Sequence, residues 1–254
     1  MEKINSKYIH EEIVHNCNAA IEVVPFLIDL LKPKSVVDVG CGTGTWLKIF
    51  LDHKINEILG IDGTYLNKEQ LKIDSSKFIA YDLETLYRCE KKYDLVISLE
   101  VAEHLSSDSS DVFVETLTGL SDTVIFSAAI PNQGGQNHIN EKEPKYWIEK
   151  FEKKGFKLYD VLRPVFWDNK KIDPWYRQNI LLFTKKIDLN IVLEPLKNFE
   201  GKHLVHPELS KAKDDNLSIK KNQLEYINNG KKDVRFYVYL LFKALKRKLK
   251  DFND

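Results

Sequence analysis

The sequence predicts an α/β protein built on a doubly wound, mostly parallel sheet, and three observations carry that prediction. Residues 36–44, VVDVGCGTG, form an apolar β-branched run that ends in an acid and then breaks into glycines at alternate positions. Three further apolar runs, at 58–62, 78–83 and 93–100, follow in order, each with a carboxylate near its end. Beyond them, helical and strand-like stretches alternate as far as residue 184.

Taken in order, residues 7–32 read as helical. Ile9, Ile13, Val14, Ala20, Ile21, Val24, Phe26, Leu27, Leu30 and Leu31 supply the apolar positions, and Pro33 ends the pattern. Residues 35–39 read as a short buried strand. Gly40, Gly42 and Gly44 then let the backbone turn tightly and approach a ligand where a side chain would collide. A helix starts near Thr45. Such a strand, turn and helix is the first βα unit of a doubly wound sheet, where cofactors sit beyond the carboxyl ends of the strands. After the three further strands, 111–120 is an amphipathic helix, 123–128 a fifth strand and 144–154 a helix ended by Gly155. Residues 157–162 begin another strand, and 180–184, ILLFT, give the last, apolar enough to be buried on both faces.

The glycine turn also selects among ligands. The dinucleotide fingerprint would require glycine at position 45, where this chain has Thr45. Asp38, two residues before the first glycine, places an anion where a cationic ligand is better served than a pyrophosphate. These residues resemble motif I of the class I S-adenosylmethionine-dependent methyltransferases, and the resemblance spans roughly residues 20–186. It implies a seven-stranded Rossmann-like methyltransferase sheet whose last strand is antiparallel, and S-adenosylmethionine as cofactor. By the same resemblance Asp38, Gly40, Gly42 and Gly44 hold the donor, and Asp62 accepts hydrogen bonds from both ribose hydroxyls. Asp82 faces the adenine amino group, with Leu83 beside it. Taken singly, Asp62 and Asp82 are also ordinary turn or cap residues.

A second cluster, Glu100-Val101-Ala102-Glu103-His104, stands where the fourth strand releases the chain at the cofactor edge. In a helical turn Glu100 shares a face with Glu103 and His104. Two carboxylates and an imidazole in one cleft repel unless a proton or a cation joins them, and oxygen-rich ligation with imidazole suits Mg²⁺ or Mn²⁺. His138 follows the fifth strand on a loop at the same edge. The pattern resembles the metal-binding set of small-RNA 2′-O-methyltransferases and, in its first part, ubiquinone-pathway O-methyltransferases. That resemblance makes Glu100, Glu103, His104 and His138 metal ligands, with Glu103, His104 and His138 catalytic. Two other readings stay open: a metal-free histidine base, and histidines that only pack.

A third cluster, Asp173-Pro174-Trp175-Tyr176-Arg177-Gln178-Asn179, reads as a substrate loop. Arg177 is placed to clamp a phosphate or carboxylate, and Trp175 and Tyr176 to stack on a sugar or base. Equally, these aromatics are hairpin or core residues. The loops with Trp147, Trp167 and Arg177, and the tail segment 204–209, LVHPEL, resemble bacterial surface-glycan methyltransferases. This implies a small acceptor, a sugar nucleotide or phosphorylated sugar of capsule or lipopolysaccharide synthesis, methylated on a hydroxyl. The alternative is N-methylation of an amino sugar or small amine.

Composition sets outer limits. The 254 residues are 43% hydrophobic and 30% charged with no net charge, so no global field recommends nucleic acid as a partner. Cys17, Cys41 and Cys89 are odd in number and widely spaced, unlike a disulfide framework or a thiolate metal site. The N-terminus lacks an apolar leader core and no apolar run reaches about 18 residues, so the expected location is cytoplasmic. Residues 1–186 are read as the methyltransferase domain and 187–254 as an appendage, with helices over 223–228 and, more strongly, 234–252. Residues 231–250 carry eight basic and one acidic residue, a net +7. That helix is read as a docked terminal helix, a homodimer contact or a peripheral membrane contact.

Overall fold

The protein is described by a computed structural model covering residues 16–66, 68–185 and 202–251. The expected helical residues 7–15, and the appendage residues 187–201, lie outside that description. Helix α1 (Asn18–Leu31) leads into β1 (Ser35–Val39), and the glycine turn opens α2 (Thr45–Asp52). Strand β2 (Glu57–Asp62) and the short β3 (Phe78–Ala80) follow, then β4 (Leu95–Leu99), α3 (Ser110–Leu120) and β5 (Thr123–Ser127). The unit closes with α4 (Pro144–Lys153), β6 (Lys157–Tyr159), α5 (Leu162–Phe166), α6 (Pro174–Asn179) and β7 (Leu181–Thr184).

The seven strands lie in the order β3-β2-β1-β4-β5-β7-β6. All pairings among the first five are parallel, and β7 runs antiparallel to both β5 and β6. Alternation along each strand divides the core in two. Val36, Ile97 and Ile125 pack with Val23, Val24, Leu47 and Phe50 of α1 and α2. Val37, Val96, Val124 and Phe183 pack with Phe113 and Leu117 of α3 and Phe151 of α4. Both faces are therefore covered, and every residue of β1, β4 and β5 is buried. The stacked pair Phe151 and Phe183, 4.1 Å apart, ties α4 to β7.

Two features position the site. The chain leaves β1 toward β2 and β3 on one side and returns through β4 on the other, so a crevice opens beyond the carboxyl ends of β1 and β4. The third strand also ends at Ala80 rather than extending to 83. Tyr81 still donates its N–H to the Asp62 carbonyl, but Asp82 then accepts the Glu84 N–H in a turn that takes the chain out of the sheet.

The chain divides into two compact units at His206/Pro207, so residues 202–206 belong with the sheet unit and not with the appendage expected from 187. The second unit comprises α7 (Pro207–Asn228), far longer than the expected 223–228, and α8 (Val234–Asp251). Residues 207–254 hold twelve Lys or Arg against seven Asp or Glu, a net +5, which leaves residues 1–206 at −5.

Candidate active site

At the glycine turn after β1 the backbone does the shaping. Gly40, Gly42 and Gly44 all have positive φ, at 85°, 51° and 80°. A Cβ on Gly40 would stand 2.3 Å from a methyl of Val101, and one on Gly44 would stand 3.0 Å from Ile73. The turn delivers the Gly42 N–H to Asp62 Oδ2 at 2.6 Å, and Asp62 Oδ1 accepts from the Gly63 N–H at 2.6 Å and the Tyr65 hydroxyl at 2.9 Å. Asp62 is 3% exposed. Asp38 lies opposite Gly60 and Ile97 in the middle of the sheet, and burial first, then the Asp62 charge, pushes its carboxyl well above the usual carboxylate range. Asp82 is exposed in the turn after β3, and Leu83 is buried beside it.

The second cluster is arranged differently from the single helical face expected of it. Only Ala102–His104 forms a turn of 3₁₀ helix. Glu100 precedes it with φ of 55°, an unusual conformation for a side-chain-bearing residue and one held by its N–H donating to Ser127. Glu103, His104 and His138 offer ligand atoms that all lie within 4.8 Å of one another, and the two imidazole rings stand edge to face at 4.9 Å. Glu100 is not in that group of three. Its Oε1 accepts from Asn179 Nδ2 at 3.0 Å and its Oε2 from Gln133 Nε2 at 2.9 Å.

Glu103 is fully buried, and among the described residues neither carboxylate oxygen has a partner in good hydrogen-bond geometry. Burial, then the neighbouring Glu100 charge, drives its carboxyl well above the ordinary range, and nearby backbone groups offset this only in part. The His138 loop is fastened to this turn through the Glu103 carbonyl, which accepts the N–H groups of both Ile139 and Asn140. Asn140 reinforces the junction with its amide on the Ala102 carbonyl and Ser110 Oγ, each at 3.2 Å. Glu141 Oε1 lies 3.0 Å from His138 Nδ1, which orients the ring. A buried acid, two imidazoles and a carboxylate holding one of them make a donor set that a divalent cation fits.

Residues 174–179 form helix α6, not the loop expected. The Asp-Pro start is a helix opening, since proline has no N–H to lose at the first position. The helix turns Arg177 inward. It is 1% exposed, donates to the Trp167 carbonyl at 3.1 Å and is not presented as a phosphate clamp. Tyr176 packs edge-on against Trp46, with ring centres 5.4 Å apart. Burial first and the Glu100 charge second raise its phenol, which sets it near the acidic cluster. Trp175 is half-buried beside it.

A chain of amides links this helix to Glu100. The His206 N–H donates to Gln178 Oε1 at 2.7 Å, and Gln178 Nε2 donates to Gln133 Oε1 and Asn179 Oδ1, each at 3.0 Å. Gln133 and Asn179 then donate to Glu100, so one backbone N–H fixes which way every amide in the chain points. Residues 202–206 are held by Arg163, whose guanidinium is paired with buried Asp160 and donates to the Lys202 carbonyl at 2.9 Å. The His206 ring packs on Trp167 at 4.7 Å.

The model of the methyltransferase-domain family matches residues 10–160. The chain belongs to that family. It is a class I, S-adenosylmethionine-dependent methyltransferase. A tRNA U34 carboxymethyltransferase of Helicobacter pylori strain J99 is 25% identical over 201 residues, covering 66% of this chain and 76% of its own. A sphingolipid C9-methyltransferase of Candida albicans is 29% identical over 100 residues, covering 35% of this chain and 20% of its own. The methyltransferase domain of the bacterial protein CtHen1 agrees in fold, with a TM-score of 0.50 at 21% identity over 66% of this chain and 98% of that one.

Within this methyltransferase the structure therefore gathers Asp38, the three glycines and Asp62 on one side of the crevice, and Glu103, His104 and His138 on the other. Sequence reasoning gave no role to Gln133, Asn140, Glu141 or His206, and took Gln178 and Asn179 only as amides of a substrate loop, not as the link to Glu100. His206 lies in the tail segment 204–209 singled out by resemblance, and its packing on Trp167 and its N–H on Gln178 give that residue a physical role.

Proposed function

We propose that this methyltransferase moves the methyl group of S-adenosylmethionine to a hydroxyl of a sugar, in a precursor of a surface polysaccharide, with a divalent cation, Mg²⁺ or Mn²⁺, at Glu103, His104 and His138. The convergence of those three side chains within 4.8 Å around a buried, poorly hydrogen-bonded carboxylate carries the reading. When bound, such a cation lowers the pKa of an acceptor hydroxyl. A hydroxyl has to lose its proton as it attacks the sulfonium methyl. A metal-ligating imidazole has no lone pair left, so with both imidazoles engaged on the cation that proton would pass to water, and with no cation bound His104 or His138 would take it.

The donor side supports the rest. The glycine turn holds the methionine end, and Asp38 gains an opposite charge when the donor's ammonium and sulfonium arrive. The ribose hydroxyls take the place of the Tyr65 hydroxyl on Asp62, while Asp82 and Leu83 receive the adenine. Holding sulfonium and hydroxyl in line supplies much of the acceleration. On the acceptor side the amides around Glu100 and the half-buried rings of Tyr176 and Trp175 suit a polyhydroxylated ring. With Arg177 turned inward, the sugar ring rather than its phosphate is the feature recognised. The net −5 of residues 1–206 speaks against nucleic acid.

Calorimetric titration of Mn²⁺ into the protein saturated with S-adenosylhomocysteine, for wild type and His138→Ala, tests the cation. Binding is expected in the wild type and weakened by about a hundredfold in the variant. A panel of sugar nucleotides, phosphosugars and amines then tests the acceptor. Full turnover in excess EDTA, or preference for the amines, sinks the proposal.

A further inference from the structure

We propose that α8 is a docking helix for anionic lipid bilayers. Val234, Val238, Leu241 and Leu245 recur at the four, three and four residue spacing that lines up one helical face, and Phe242 flanks them. These five side chains are between 45% and 77% exposed, a contiguous apolar stripe rather than the scattered exposure of an ordinary surface. Residues 234–250 contain six Lys or Arg and no acid, with Arg235 bordering the stripe beside Phe242 and Lys243 and Lys246 farther round the helix. Tyr239 is a further exposed aromatic.

Charge decides what covers the stripe. Helix α7 has four basic and four acidic residues, so the surplus in this unit is concentrated on α8. Two copies of α8 brought together, parallel or antiparallel, would face basic side chains with basic side chains. The apolar seam also breaks at Lys248, too soon for a stable coiled coil. An anionic bilayer instead accepts the apolar stripe into its acyl boundary while its headgroups meet the lysines. The helix is ~27 Å long, and no described helix is long and apolar enough to cross a membrane, so α8 would lie in the interface. This inference is independent of the acceptor proposed above.

The test is flotation of the full chain with vesicles of phosphatidylcholine alone and of phosphatidylcholine mixed equally with phosphatidylglycerol. Binding is expected to the mixed vesicles only and to be released by molar salt. Lys243→Glu with Lys246→Glu should weaken it by at least about tenfold, and Leu241→Asp with Leu245→Asp should abolish it. These positions are exposed, and unchanged S-adenosylhomocysteine binding and circular dichroism would certify the fold of each variant. Equal binding to neutral vesicles, or no binding to anionic ones, overturns the proposal. So does a dimer in light scattering that the leucine variant dissolves while vesicles are ignored, which would give the stripe to a second copy.

Discussion

The two sides of the crevice are built from different materials. The proposed donor side is largely main chain, a turn of three positive-φ glycines between the buried aspartates Asp38 and Asp62, and this part of it lies within 25 residues. The proposed acceptor side is side chain, gathered from 100–104, 133–141, 174–179 and 206 and joined by amides that each depend on the next. A main-chain site has no rotamer to adjust, so a single added carbon is felt in full. A side-chain network relaxes, so its losses are graded.

The sharpest break is therefore at Gly40. Gly40→Ala adds a methyl 2.3 Å from the branched Val101 side chain at a φ of 85°. Left-handed strain of roughly 1–2 kcal/mol and overpacking of roughly 1–3 kcal/mol should together abolish S-adenosylhomocysteine binding and lower Tm. Gly134→Ala supplies the control on the acceptor side. It has a similar φ of 76° but meets nothing within 4 Å, so only strain of about 1 kcal/mol is expected. Equal losses of affinity in calorimetry would erase the contrast.

Next in size is Gln178→Leu, which cuts the amide chain between His206 and Glu100. It strands the His206 N–H and frees Gln133 and Asn179 to rotate away from Glu100. Leaving such groups unsatisfied costs about 1–3 kcal/mol. Turnover of the acceptor found in the panel should fall by roughly tenfold while the Kd for S-adenosylmethionine stays put. A parallel loss of donor affinity would show that the two sides are not separate.

The same contrast explains what could be read from the sequence. The strands and the glycine turn were legible because each is a local pattern: β-branched runs, glycines at fixed spacing, an acid at the strand end. The acceptor side was legible only where it too is local, at Glu103 and His104, and at His138 in a conspicuous loop. Arg177 was misplaced because six mixed residues show no clear period, although Asp173-Pro174 marks a helix start, and the helix decides which way an arginine points. The amides Gln178 and Asn179 stood in the expected substrate loop, but their link to Gln133, Glu100 and His206 was not legible, because those partners come from segments far apart in the chain.

The smallest expected effect tests whether Asp38 belongs functionally to the donor side. In the free protein burial and the Asp62 charge raise its carboxyl, so the folded state holds this proton at pH values where an unfolded aspartate has lost it. Its contribution to stability is thus full below the ordinary aspartate range and is lost as pH rises through the raised value. A donor cation beside it lowers that value again, so binding releases the proton and affinity for S-adenosylmethionine should climb with pH across the window between the two values. One proton limits the slope to about tenfold per pH unit. The thermal shift produced by the donor should accordingly grow with pH over the same window, and Asp38→Asn, which has no proton to release, should flatten both curves. A slope that survives in the asparagine variant would move the titrating group away from the glycine turn and leave the donor side without its anion.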